Sequence, residues 1–252
     1  MSAHSKRLRY APDAVLTDLD NTLYEYASAH ERALAECLQK IEHNFRIPKE
    51  EVRRAFDLSR LATHNDLRET AASHSRLLYF CRLLEMYGLG TQFTFALELE
   101  QTYWRNFLVS AQLFPDVLEF LNDLRIRKIP VVVVTNLTHQ IQLRKLSYFG
   151  LGELVTAIVT SEEVGVDKPH PRIFERAMQK IGSERSRIWM IGDDPIADLR
   201  GAKATLSATT FLRVPRFSRQ KILDNIDVDA AYSTFAELRS YLAATEPGYE
   251  DH

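Results

Sequence analysis

With 252 residues, 45% of them hydrophobic and 26% charged, the chain can bury one large core or a core with a smaller insertion. Its formal net charge of -2 gives no general attraction to nucleic acid or to an acidic membrane surface, so neither is an expected partner and an anionic ligand must be held by local charge. Cys37 and Cys81 lie too far apart in sequence for a metal or redox motif, Lys6, Arg7 and Arg9 lead into no secretion signal, and no apolar run approaches membrane-spanning length, which together predict buried thiols and a cytoplasmic protein.

Ala14-Val15-Leu16-Thr17 is a short apolar run that ends in acids, the pattern of a buried parallel strand delivering a loop. From Tyr24 to about Val109 the spacing is helical: first Leu34, Leu38, Ile41 and Phe45, then Leu77, Leu78 and Leu84, then Leu97, Tyr103, Trp104 and Phe107. Beyond Phe114-Pro115-Asp116, helix and strand alternate. Val117, Leu118, Leu121 and Leu124 share a helix face ahead of a Val131–Val134 strand. Ile141, Leu146 and Phe149 mark a helix ended by Gly150, and a strand follows from Val155 to Thr160. Pro171 to Ile181 is a helix with Ile173, Phe174, Ala177, Met178 and Ile181 on one face and Gly182 past its end. Strands at Ile188–Ile191 and Thr209–Val214 complete the series, and Glu246–His252 reads as a polar tail. The pattern predicts an α/β fold built on a doubly wound parallel sheet from residues 1–23 and 110–252, with residues 24–109 inserted as an all-helical domain.

In such a sheet, functional loops lie at the carboxyl ends of the strands. Asp18 and Asp20 end the first strand, Thr135 and Asn136 the second, and Asp193 and Asp194 the fourth, while Lys168 follows the third. An acid-rich rim repels a phosphate ester unless a cation stands between them. Mg2+ takes oxygen ligands and accepts one or two carboxylates together with a phosphate oxygen, for which Asp18 and Asp193 are the natural pair. Asp18 is then placed to attack phosphorus, Asp20 to give a proton to the leaving alkoxide, and the Thr135 hydroxyl to hold phosphoryl oxygens.

The motifs DLDNTL from Asp18 to Leu23, Thr135-Asn136, DKPHPRIF from Asp167 to Phe174 and GDDPIADLRGA from Gly192 to Ala202 occur in this order and at these intervals. The set resembles the haloacid dehalogenase (HAD) superfamily, in particular its phosphatase branch with a small helical cap and a Rossmann-like core, over nearly the whole chain. The resemblance implies Asp18 as nucleophile and metal ligand, Asp20 as acid/base with its carbonyl on Mg2+, and Thr135 on phosphate. It further implies Lys168 as the cation that stabilises the transition state, Asp193 as a direct metal ligand, and Asp198 as a ligand through water or a support of the loop. Asp194 stands where relatives often carry a hydroxyl residue.

The implied activity is hydrolysis of a small phosphorylated metabolite, such as a nucleotide or sugar phosphate, through an aspartyl phosphate. A phosphomutase shares both acids; a 2-haloacid dehalogenase has no alkoxide to protonate and typically lacks the second acid, so Asp20 argues against it. A binding or regulatory module without strong catalysis is the reading from another class, against which the intact acid set stands. Asn136 is a candidate substrate contact, and Arg68, His74 and Arg76 are the helical insertion's candidates for reading the leaving group, set against the plainer reading of a solvated polar face. Nothing in the sequence indicates an oligomeric state.

Overall fold

The computed structural model describes residues 9–182, 186–215 and 227–246. Lys6, Arg7 and residues 247–252 of the expected polar tail lie outside them. Glu246 does not belong to a tail: its backbone pairs with Arg9 and Ala11, and its carboxylate meets the Arg9 guanidinium at 3.1 Å.

A parallel sheet of six strands runs in the order β3-β2-β1-β4-β5-β6. Its strands are β1 (Ala14–Thr17), β2 (Val131–Thr135), β3 (Ala157–Thr160), β4 (Ile188–Gly192), β5 (Thr209–Arg213) and β6 (Ala230–Tyr232). β1 is central, with Val15 aligned to Val131 on one side and to Trp189 on the other. The near-continuous apolar runs of β1, β2 and β4 follow from burial on both faces. Side chains alternate between those faces with period two. Val15, Val131, Val133, Trp189, Ile191 and Phe211 contribute to one apolar cluster, whereas Leu16, Val132, Val134, Ile188, Met190 and Leu212 contribute to the other.

The second cluster is covered by α8 (Pro171–Ile181), which lies in the chain between the short helices α7 (Ser161–Val164) and α9 (Gly201–Leu206) and whose stripe of Ile173, Phe174, Ala177 and Met178 is buried. The helix starts at Pro171, where a missing N–H costs nothing, and stops at Gly182, whose φ of 86° suits glycine. On the opposite face lie α5 (Val117–Ile126) and α10 (Phe235–Ala243), through Phe120, Leu121 and Leu124 and through Phe235, Leu238 and Leu242. The stripe of α5 passes through Val117, Phe120 and Leu121, which leaves Leu118 45% exposed against expectation. β6 and α10 were not anticipated.

Between β1 and α5 come α1 (Tyr26–Phe45), α2 (Lys49–Asp66), α3 (Arg76–Met86) and α4 (Phe93–Ser110), as the helical spacing predicts. The buried stripe of α4 runs Ala96, Leu99, Tyr103, Phe107 at spacings of three and four, so Leu97, grouped with it from the sequence, lies outside at 49% exposure. Cys37 is buried as expected but Cys81 is only half-buried, and both are free thiols. The interior of these helices is continuous with the first sheet cluster: Leu34, Phe56, Leu83 and Leu99 belong to one apolar body with Val15 and Val131. No helix among the described residues is long and apolar enough to cross a membrane.

The polar stretch around Thr63 divides between interior and surface. Thr63 is buried with its hydroxyl donating to the Ser59 carbonyl at 2.8 Å, while Asp66 reaches outward to Arg82 at 2.7 Å. In α1, His30 lies 2.6 Å from the Tyr103 hydroxyl, and burial together with the nearby Arg76 lowers its pKa to about 4. The ring is therefore neutral in the fold and titrates near 6.5 once unfolded. Between those values the unfolded chain binds the extra proton, so this contribution to stability is complete above pH 6.5 and is lost as the pH falls toward 4. Thermal unfolding followed from pH 7.5 to 4.5 should show a midpoint that falls on acidification, and less steeply in His30→Gln than in the parent; equal slopes would remove His30 from the account.

Candidate active site

β1 has β2 on one side and β4 on the other, so the chain's crossover direction reverses at its carboxyl end and a crevice opens there. The Asp18 N–H donates to the Ile191 carbonyl at 2.9 Å, which continues the β1–β4 ladder one residue past the strand and fixes the start of the loop. Asn21 then takes a φ of 62°, a conformation asparagine tolerates, and its side-chain oxygen accepts from the N–H of Tyr26 at 3.1 Å. The turn folds Thr22 back. Its hydroxyl lies 3.2 Å from Asp18 Oδ2 and 3.3 Å from Asp193 Oδ1, joining the ends of β1 and β4.

Carboxylate oxygens of Asp18, Asp193 and Asp198 all fall within 4.8 Å of one another. Asp198 enters from a helical turn, Pro195–Arg200, packed against the end of β4. That approach needs Gly192: a Cβ there would stand 2.3 Å from Asp198 Oδ2 and 2.6 Å from its Cγ. Asp194 does something else. Its Oδ1 accepts from the N–H groups of Ile196 and Ala197, both at 2.8 Å, capping the turn, while its own N–H donates to Asp198 Oδ2 at 3.1 Å.

Lys168 holds the acids together. Its Nζ donates to Asp18 Oδ1 and Asp198 Oδ1, both at 2.6 Å, and to the Val134 carbonyl at 2.8 Å. Burial works against its charge, but Asp18 and Asp198 outweigh that and raise its pKa. The ammonium cannot satisfy all three acids. Burial, reinforced by Asp198 and Asp20 and only partly offset by Lys168, pushes Asp18 up to about 7; burial and Asp18 push Asp193 to about 6, and burial raises Asp198 as well. Facing carboxylates that resist ionising together are a set short of positive charge. Three oxygen donors at this separation suit a hard divalent cation such as Mg2+.

Thr135 is buried at the end of β2, and its hydroxyl accepts from Gln142 Nε2 at 2.6 Å, so its own proton is free to point elsewhere. Asn136 spends its amide on the Lys168 backbone, accepting from the Lys168 N–H at 2.7 Å and donating to its carbonyl at 3.3 Å. Asp20, at the crevice mouth, accepts from both Lys145 and the Tyr24 hydroxyl. The Lys145 distances are 2.7 and 2.8 Å, to the two carboxylate oxygens. Burial alone would raise the Asp20 pKa, but Lys145 and Tyr24 bring it below the ordinary value.

The insertion's three candidates part company. Arg68 is exposed and bonds to Asn65 at 3.2 Å, with no described contact to the acids. His74 Nε2 stands 3.1 Å from Asp167 Oδ2, and the Asp167 N–H donates to the Glu69 carbonyl at 3.0 Å, tying the helical segment to the residue before Lys168. Arg76 lies half-buried, its Nη1 donating to the His74 carbonyl at 2.6 Å. Sequence reading gave no role to Thr22, Tyr24, Gln142 or Lys145. A signal existed for two of them: Gln142 and Lys145 fall on the same face of α6 (His139–Tyr148) as Ile141 and Leu146, where polar residues are out of place unless bonded.

A sequence profile described as haloacid dehalogenase-like hydrolase matches residues 12–205, which takes in β1 through the Asp198 turn. The chain belongs to the haloacid dehalogenase-like hydrolases. This hydrolase is 37% identical over 192 residues, 76% of its own length and 80% of the relative's, to a ribulose-1,5-bisphosphate 5-phosphatase from Halopiger xanaduensis. It is 26% identical over 219 residues, 85% of the chain and 90% of the relative, to a glyceraldehyde 3-phosphate phosphatase from Methanopyrus kandleri. Among solved structures, a HAD phosphatase from Thermococcus onnurineus superimposes with a TM-score of 0.70 at 25% identity, covering 92% of this chain and 98% of that one. A 2-haloacid dehalogenase from Pseudomonas syringae shares the fold, with a TM-score of 0.69 at 22% identity and coverage of 91% and 97%.

For this haloacid dehalogenase-like hydrolase, the packing of Gly192 on Asp198 makes a direct test. Gly192→Ala forces a methyl group into the carboxylate, an overpacking that costs about 1–3 kcal/mol. The variant should melt several degrees below the parent; an unchanged midpoint would mean that Asp198 moves aside at no cost.

Proposed function

We propose that the chain is a magnesium-dependent phosphomonoesterase that acts on a small sugar or nucleotide phosphate through an aspartyl phosphate on Asp18. The observation that carries the reading is the convergence of Asp18, Asp193 and Asp198 within 4.8 Å, with Lys168 bridging two of them. The phosphatase relatives add to it. The names of two relatives that match most of the chain, a ribulose-1,5-bisphosphate 5-phosphatase and a glyceraldehyde 3-phosphate phosphatase, favour a sugar phosphate over a nucleotide.

Asp18, Asp193 and Asp198, with the Asp20 carbonyl, are the residues that would hold Mg2+. When bound, the ion supplies the positive charge that these acids and an incoming phosphate lack, and it polarises a phosphoryl oxygen. Asp18 attacks phosphorus, and the bond to the leaving oxygen breaks as that oxygen takes a proton from Asp20, which has first received it from the substrate's phosphate monoanion. In the second half, Asp20 accepts a proton from the water that attacks the aspartyl phosphate and releases inorganic phosphate. The ionised Asp20 held by Lys145 is the form this second half requires. Thr135 donates its free proton to a phosphoryl oxygen, and Lys168 neutralises charge that grows there. Asn136 serves indirectly, by fixing the backbone of Lys168. The segment 24–109 acts as a cap over the crevice, and the free thiols Cys37 and Cys81 suit work in the cytoplasm.

Phosphate release from a panel of phosphorylated sugars and nucleotides should vanish with a chelator and return with Mg2+. Asp18→Asn should lower it by roughly a thousandfold or more in protein that still folds, because an amide is a poor nucleophile. Metal-independent release by the parent, or near-normal release by Asp18→Asn, would overturn the mechanism.

A further inference from the structure

Arg76, the first residue of α3, is a half-buried cation whose hydrogen-bond partners carry no charge. Its Nη atoms reach neutral oxygens, the His74 carbonyl and the Tyr26 hydroxyl, and its Nε is buried without a hydrogen-bond partner. No carboxylate among the described residues forms an ion pair with it. Rings enclose the guanidinium on several sides, with Cζ 5.7 Å from the centre of Tyr26, 5.5 Å from Tyr79 and from Tyr103, and 5.3 Å from Trp104. Cation–π contacts offset part of the cost of removing this charge from water, but less than an anion does.

The location of Arg76 gives the charge a purpose. The Trp104 indole is shared, with Lys145 Nζ 5.5 Å from its centre, and Lys145 is the residue that grips both oxygens of Asp20. Two cations thus lie against one ring beside Asp20, which Lys145 bonds directly and on which Arg76 acts only through its charge. Any part of a substrate that extends past Asp20, away from Asp18, comes toward a guanidinium that is half-buried rather than sealed. A guanidinium fork binds phosphate or carboxylate through paired hydrogen bonds, which a neutral hydroxyl cannot match.

We infer that Arg76 binds a second anionic group of the substrate, so that the substrate is a small metabolite with a phosphate ester at one end and a phosphate or carboxylate at the other. The inference rests on the phosphatase reading above, and adds a substrate class to it. Tyr26, whose hydroxyl already meets Arg76 and whose ring stacks on His30 at 5.5 Å, lies in position to share the anion.

The test compares matched substrate pairs on the intact protein with Mg2+. Ribulose 1,5-bisphosphate is set against ribulose 5-phosphate, and 3-phosphoglycerate against glycerol 3-phosphate, with p-nitrophenyl phosphate as a generic ester. Hydrogen bonds to charged groups correspond to preferences of roughly tenfold to a hundredfold, so kcat/KM should favour the member with the second anionic group in at least one pair by about that factor. Preference in the sugar pair identifies a phosphate as the second anion, and preference in the glycerate pair a carboxylate. In Arg76→Met and Arg76→Lys the ratio within the preferred pair should collapse to near unity in methionine and fall partway in lysine, mainly through KM. Hydrolysis of p-nitrophenyl phosphate by the parent without preference in either pair overturns the inference while the phosphatase reading stands. Absence of turnover on all five compounds counts against the phosphatase reading itself, and the inference falls with it. A preference that persists undiminished in a folded Arg76→Met assigns the guanidinium to packing and also overturns the inference.

Discussion

Mutual repulsion among three carboxylates, two buried and one half-buried, governs the crevice. Asp18 follows β1 whereas Asp193 and Asp198 both follow β4, and each is held where ionisation of one opposes ionisation of the next. Lys168 makes the arrangement tolerable by reaching two of them from a third loop, and much of the surrounding structure keeps that ammonium in place. Asn136 fixes its backbone, the Val134 carbonyl takes its remaining proton, and the absence of a side chain at Gly192 leaves room for the acid it must reach. Removing a partner from such a set leaves a buried charge uncompensated, which is why a rim of this kind tolerates few substitutions.

The parallel sheet and its acids were legible because the signals are local. Valine-rich runs such as Val131–Val134 announce buried strands, and a strand that ends in acids puts them at the functional rim whatever surrounds it. The short β6 was not legible, since Ala230-Ala231-Tyr232 is three residues with no alternation to read. Lys145 and Thr22 were missed for a different reason. Their importance lies in which groups they meet, Asp20 for one and the Asp18–Asp193 pair for the other, and such meetings are decided by tertiary packing. Arg76 stood out as a cation in an apolar segment, but the rings around it come from α1, α3 and α4 and have no common sequence signal.

The helical segment is bound to the sheet more closely than a simple insertion suggests. Its interior merges with one sheet face, and His74 and Glu69 hold Asp167, next to Lys168. A displacement of these helices therefore reaches the loop that carries the central ammonium. The same contacts give the segment a route to the chemistry that does not depend on touching the phosphate.

One helix, α6, has a consequence for how this protein can change over time. Gln142 and Lys145 are three residues apart on its inner face, and they reach Thr135 on β2 and Asp20 beyond β1 respectively. A replacement that shifts the helix by a fraction of an ångström disturbs both attachments together, so effects of substitutions along it are not expected to add. Accepted changes at positions 20, 135, 142 and 145 should then arrive in concert, with the order of their appearance constrained. This stretch is one where a lineage's history, more than the chemistry of any single position, determines which residues are found.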